Sequence, residues 1–170
     1  GNISYSPREV VWEITDIENL SCSDSIVFFD ESKGGNSTLY NFSYDVAFGY
    51  AVFAYLYQDG FMIASLSDGR HVIPELAVKG DGEERMKDGG YYTDVVCGKK
   101  CFYLLSQGDV ETSGLSGTSS IEVYDYEGNP MKKINLDIIA SHMVYDKINK
   151  RVIFSPSMDN DLHVLDYEFE

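Results

Sequence analysis

The sequence predicts an all-β domain assembled from repeated antiparallel sheets, and three observations carry that prediction. Apolar residues come in short runs rich in Val, Ile, Tyr and Phe, the side chains that suit a pleated, half-buried surface. Polar breaks between the runs hold most of the 15 glycines, while only 4 prolines are present, a pattern of tight turns between strands. Two segments 41 positions apart repeat one residue pattern. At 170 residues the chain has room for a single domain with a real core, residues 1–170.

The elements follow in order. Residues 10–14, 26–30 and 38–42 are short β-type runs in the first quarter. Residues 51–57 (AVFAYLY) and 61–66 (FMIASL) flank the turn Gln58-Asp59-Gly60, and Ser67-Asp68-Gly69 leads into residues 71–76. Residues 79–90 (KGDGEERMKDGG) read as an exposed loop, because they offer little apolar surface to bury. Four strands then come in a row, at 92–97, 101–106, 121–126 and 131–136. A second cycle supplies strands at 141–145, 151–154 and 162–167. Residues 135–144 come nearest to a helical period, yet they read better as extended chain, loop and strand. Helix content is expected to be under about a tenth.

The repeat sets the architecture. Residues 121–127 (IEVYDYE) and 162–168 (LHVLDYE) share the order apolar, polar, Val, apolar, Asp, Tyr, Glu. Their spacing matches the ~40–45 residues of a four-stranded propeller blade. Residues 61–68 are a looser third copy, 60 positions before the first. The third strand of a blade touches a neighbouring blade on each face, which explains apolar residues at successive positions. Asp125 and Asp166 read as strand-ending turn residues rather than catalytic acids. The expected fold is a β-propeller of about three and a half blades, an incomplete ring or one lacking a segment near Ser43 to Asp45.

The stretches IEVYDYEGNPMKKINLD and ASHMVYDKINKRVIFSPSMDNDLHVLDYE resemble the carboxyl-terminal blades of the TolB-like six-bladed propeller proteins of Bacteroides-type bacteria. Asp125, Tyr126, Gly128, Asn129, Pro130, Leu136, Asp137, Asp146, Asn149 and Lys150 stand at the matching turn positions. The segment AYLYQDGFMIASLSDG is similar to an earlier blade of that family. The likeness is good over 92–170, fair over 50–76 and poor before that. It implies a secreted, periplasmic or surface lipoprotein of a Gram-negative cell, any lipid anchor lying upstream. It carries no family catalytic residues, and fold transfers better than activity.

Charge excludes some partners. The formal net charge is −15, with 28 acidic and 13 basic residues. Nucleic-acid binding needs clustered Lys and Arg to displace counterions, and the longest basic runs here are Lys99-Lys100 and Lys132-Lys133. No run approaches the ~18 apolar residues of a membrane span, and the amino end has no basic stretch followed by an apolar one.

No known catalytic motif is present: neither a G-x-S-x-G elbow, H-E-x-x-H, a P-loop nor a dinucleotide glycine pattern. His71, His142 and His163 are isolated, and no cofactor or catalytic residue is assigned. Asp159-Asn160-Asp161 alternates oxygen ligands but lacks the glycine and distal glutamate of a calcium loop, so it reads as an Asx-rich turn and no metal site is assigned. Cys97-Gly98-Lys99-Lys100-Cys101 has the form of a hairpin, leaving free thiols, a cross-strand disulfide or, least favoured, metal or redox chemistry open.

In a propeller the loops between second and third strands share a face with the loops between blades. Residues 107–119, 155–161, 89–93 and 137–141 would form that face. Tyr91, Tyr92, Asp159 and Asp161 are the ligand-face candidates, with packing beneath the long loop as the other reading of the tyrosines. The expected function is non-enzymatic binding of protein or glycan through that face, with a carbohydrate-active hydrolase or lyase as the alternative. Residues 8–14 (REVVWEI) are expected to pair with 162–167 and close the ring, or else a second copy of the chain covers that edge.

Overall fold

The computed structural model describes residues 9–15, 22–30, 42–56, 60–65, 77–78, 92–106, 117–156, 162–165 and 167. These residues form β1 (Glu9–Thr15), β2 (Cys22–Asp30), β3 (Phe42–Ala47), β4 (Tyr50–Tyr55), β5 (Gly60–Ser65) and β6 (Ala77–Val78). They continue as β7 (Tyr92–Cys97), β8 (Cys101–Ser106), β9 (Ser120–Asp125), β10 (Pro130–Asn135), β11 (Ala140–Asp146), β12 (Arg151–Pro156) and β13 (His163–Leu165). Every pairing is antiparallel and no helix occurs among the described residues. The all-β expectation holds there, and residues 135–144 do run as strand, loop and strand.

The strands pair in chain order: β1-β2, β3-β4-β5-β6, β7-β8-β9-β10 and β11-β12-β13. Each sheet is an up-and-down meander, so the pairings within it are local and cost little loop entropy. The three segments linked by sequence repetition become β5, β9 and β13, the third strands of successive sheets. Their register agrees as well. Met62 faces Phe53, Glu122 faces Leu104 and His163 faces Phe154. Phe53, Leu104 and Phe154 are each the fourth residue of a second strand.

The sheet β7–β10 supplies two cores because β8 is apolar on both faces. Cys101, Tyr103 and Leu105 join Ile121, Val123, Met143, Val152 and Phe154 on the side of the β11–β13 sheet. Phe102 and Leu104 join Val52, Ala54, Phe61, Ile63, Tyr92 and Tyr124 on the side of the β3–β6 sheet. The period-two alternation of a strand makes this division automatic. Full burial of Leu104, Leu105 and Phe102 is worth about 1.5–3 kcal/mol each. Phe61, Phe102 and Tyr124 pack ring against ring, with centroids 4.7–5.7 Å apart. The fourth strand, β10, presents exposed Lys132 and Lys133 and begins at Pro130, features that discourage further pairing on a sheet edge.

Two connections tie adjacent sheets. Ser119 N–H donates to the Ile138 carbonyl at 2.8 Å, and Leu136 N–H donates to the Ser119 carbonyl at 2.8 Å. The Ser119 hydroxyl accepts from Ala140 N–H at 2.9 Å. This buried serine thus pins the entry of β9 to the link between β10 and β11.

Two sequence expectations need correction. Among the described residues, 9–14 do not pair with 162–165: β1 pairs with β2, Trp12 facing Ile26, and β13 pairs with β12. Joining β1 to β2 needs only residues 16–21. Closing a loop of some 150 residues instead costs about 3 kcal/mol more in chain entropy. Ser43 to Asp45 lie within β3 opposite Ala54 to Val52. The two thiols are not across from each other. Cys97 faces Phe102, so Cys101 points to the opposite side of the sheet, and both are buried thiols outside any disulfide. The run at 38–42 lies outside the described residues except for Phe42, and 71–76 lies wholly outside them. The fourth strand of that sheet is β6, opposite Gly60 and Phe61.

Candidate functional site

The first strands of three successive sheets, β3, β7 and β11, lie side by side, β7 in the middle. They belong to different sheets, so their backbones do not satisfy one another through a ladder. Carboxylates fill that role. Asp45 on β3 accepts Cys97 N–H at 2.7 Å through Oδ2, and Asp94 on β7 accepts Met143 N–H at 2.8 Å through Oδ2. The two bonds share one geometry. Asp45 faces the third residue of β4 and its donor faces the second of β8. Asp94 faces the fifth residue of β8 and its donor faces the fourth of β12. In each case the acceptor reaches one residue further along the next sheet.

Asp94 gathers a row of polar side chains across the three strands. Its Oδ1 accepts from Ser43 Oγ at 3.2 Å and from its neighbour Val95 N–H at 2.9 Å. His142 Nδ1 lies 3.6 Å from Oδ2, with the imidazole 68% and the carboxylate 20% exposed. A serine, an aspartate and a histidine thus meet, but in an order unlike that of a nucleophilic triad. There the histidine stands between the other two and takes the hydroxyl proton. Here the aspartate stands between them, and both its oxygens are held by backbone amides. Ser43 is therefore not activated, and the row works as a clasp between sheets.

Other carboxylates are engaged in the same way. Glu122 Oε2 accepts from Tyr124 Oη at 2.9 Å and Tyr92 Oη at 3.2 Å, and Lys133 Nζ lies 3.1 Å from Oε1. Asp125 Oδ1 accepts Glu127 N–H and Asn129 N–H, while Oδ2 accepts Asn129 Nδ2 at 2.9 Å. The Asn129 side chain first, with the turn amides, holds the Asp125 carboxyl below its usual range. Asp146 closes the β11–β12 turn alike, accepting Asn149 Nδ2 at 2.7 Å and Arg151 Nε at 3.1 Å. Asp125 is thus a turn former, as the repeat predicts, and Asp166 lies outside the described residues.

The buried nucleophiles are quiet. Burial, then the nearby Asp45 carboxylate, pushes the Cys97 thiol up to about 12, so thiolate is scarce at neutral pH. Cys101 Sγ donates to Tyr103 Oη at 3.2 Å. Burial also raises the Tyr126 phenol, which stacks on Tyr50 at 3.7 Å and donates to the Gly98 carbonyl at 2.7 Å.

Of the ligand-face candidates, Tyr91, Asp159 and Asp161 lie outside the described residues. Tyr92 does not stand at an exposed rim. It is 2% exposed, packed between sheets with its hydroxyl on Glu122. Apolar surface on both sides of β7 draws the ring inward. Among the described residues no three His, Cys, Asp or Glu side chains are grouped to hold a metal ion. Sequence reasoning passed over Asp45, Asp94 and His142. The available signal was an aspartate inside an apolar strand, in Tyr44-Asp45-Val46 and Thr93-Asp94-Val95, where β-strands usually exclude it.

No family model, no curated protein and no solved structure matches the chain. The TolB-like resemblance therefore rests on the turn residues quoted above.

Proposed function

We propose that this chain is a run of β-propeller blades serving as a non-enzymatic binding or scaffold domain outside the cytoplasm. Its ligand is a protein or a glycan, held by the loops that join second to third strands and one blade to the next. One observation carries the reading. Three successive meanders repeat the same register, and their first strands are clasped together by Asp45 and Asp94 in one repeated geometry. Such radial repetition is how propellers protect their inner strands. Binding is preferred to hydrolysis because Asp45, Asp94, Glu122, Asp125 and Asp146 all spend their oxygens on structural donors. A secreted or lipoprotein setting, the TolB-like kinship and self-association through the β13 edge belong to the same proposal.

The test is a glycan array and a protein array probed with the intact chain, alongside a reducing-end assay on the polysaccharides that bind. Saturable binding without new reducing ends supports the reading. Release of reducing ends, abolished by an Asp or Glu substitution, would overturn it in favour of a hydrolase or lyase.

A further inference from the structure

The tight turns at the other end of the sheets form a surface that the loop-face reading does not use. Phe48-Gly49 joins β3 to β4, Gly98-Lys99-Lys100 joins β7 to β8, and Lys147-Ile148-Asn149-Lys150 joins β11 to β12. Direct contacts bring the three together. Lys147 Nζ sits 5.3 Å from the centroid of the Phe48 ring. Tyr126 stacks on Tyr50, next to the first turn, and donates to Gly98 in the second.

The composition of these turns runs against that of the chain. They carry four of the 13 lysines and arginines of a molecule with net charge −15, and no acidic residue. The β9–β10 turn at the same end adds exposed Glu127 and the Asp125 carboxylate, which is held by Asn129 and the turn amides. The adjoining Asp146 is neutralised by Arg151 at 3.1 Å. Lys99, Lys100, Lys147 and Lys150 are all exposed. Large apolar side chains stand among them, Ile148 90% and Phe48 51% exposed. Phe48 adopts φ 53° and Gly49 φ 82°, a pair of positive values for which Asn-Gly is the relaxed choice. A bulky aromatic in that position is unfavourable for the turn itself.

We propose that this end of the molecule docks an acidic segment of a partner polypeptide that also bears an aliphatic or aromatic residue. Lys99 and Lys147 would receive its carboxylates, and Ile148 with the edge of Phe48 would receive its apolar side chain. Other polyanions fit less well. A long nucleic acid would extend past the lysines onto a molecule of net charge −15, where its phosphates meet like charge at close range. A sugar needs an open aromatic face, and the face of Phe48 is already under Lys147. The proposal stands apart from the loop-face reading, since it concerns other residues.

The experiment is selection from a random short-peptide display library on the intact chain, followed by fluorescence anisotropy of the enriched peptides. The expected result is enrichment in Asp and Glu around an apolar residue. Affinity should fall about tenfold in the Lys99→Glu/Lys147→Glu variant and severalfold in Ile148→Ser. It should also weaken as salt rises from about 50 to 300 mM. All three positions are exposed, and unchanged thermal melts exclude loss of fold. Enrichment of neutral or basic peptides, no enrichment, or affinity indifferent to these substitutions would overturn the proposal. So would concentration-dependent sedimentation abolished by Ile148→Ser, which would make a second copy of the chain the occupant. Glycan binding lost on the loop face, with peptide binding kept here, would sink the other reading and leave this one standing.

Discussion

Replacing Asp94 by alanine tests the clasp between sheets directly. The substitution removes acceptors from Met143 N–H and Ser43 Oγ, both on neighbouring first strands, and from Val95 N–H on its own strand. A hydrogen bond to a charged group contributes about 1.5–3 kcal/mol, and a buried donor left unsatisfied costs about 1–3 kcal/mol. Met143 is 2% exposed, so water reaches its amide poorly once the carboxylate is gone. The expected loss is about 2–4 kcal/mol, a large share of the ~5–15 kcal/mol that holds a typical domain folded. Asp94→Asn keeps one acceptor oxygen and should lose about half as much. Urea unfolding followed by circular dichroism gives the magnitude, and amide hydrogen exchange gives the place. Asp94→Ala should deprotect Met143 while sparing Cys97, and Asp45→Ala should do the reverse. The reasoning fails if Asp94→Ala stays within about 0.5 kcal/mol of the parent and the Met143 amide exchanges no faster.

Leu104→Ala, at the fully buried centre of β8, should cost about 2–5 kcal/mol, whereas Met131→Ala on exposed β10 should change stability by less than about 0.5 kcal/mol; urea midpoints compare them. Diamide treatment of the native chain should leave Cys97 and Cys101 unlinked, and a mass loss of two hydrogens between them would contradict their placement on opposite faces. Cys97 titrates higher folded than unfolded, so its contribution is complete below the thiol's ordinary value of 9.0 and declines as pH rises towards about 12. Unfolding free energies at pH 8 and pH 11 should therefore converge in Cys97→Ala relative to the parent, and parallel declines would refute the assignment. Asp125 is depressed when folded, so its contribution is present above the usual carboxylate range and is lost on acidification. Asp125→Ala should flatten the acid limb of a thermal-melt series, and an unchanged limb would show that the turn does not depend on the carboxylate.

The strands were readable because their signals are local. The runs around 51–57, 92–97 and 101–106 combine β-branched and aromatic residues with Gly or Asx breaks, and each became a strand within a residue or two. The 41-residue repeat falls on β9 and β13, each third in its sheet. What sequence did not disclose depends on which strands become neighbours. Cys97 and Cys101 look paired along the chain, yet the hairpin register opposes Cys97 to Phe102 and turns the sulfurs apart. Tyr92 has a rim residue's neighbours in sequence but a core residue's neighbours in space. Asp94 and Met143 are 49 positions apart, and no local pattern announces their bond. Residues 8–14 were strand-like as expected, but β2 lay closer at hand than β13.

The repeated offset between Asp45 and Cys97, and between Asp94 and Met143, bears on how such a chain can change length during evolution. The β7–β10 sheet offers the Asp94 carboxylate on one side and the Cys97 amide on the other, so its two junctions use the same plug and socket. A duplicated sheet inserted between two existing ones would find partners already in place on both flanks. A duplication broken mid-sheet would strand an unpaired edge and a homeless carboxylate. Selection should therefore tolerate gain or loss of whole meanders far more readily than insertions within them.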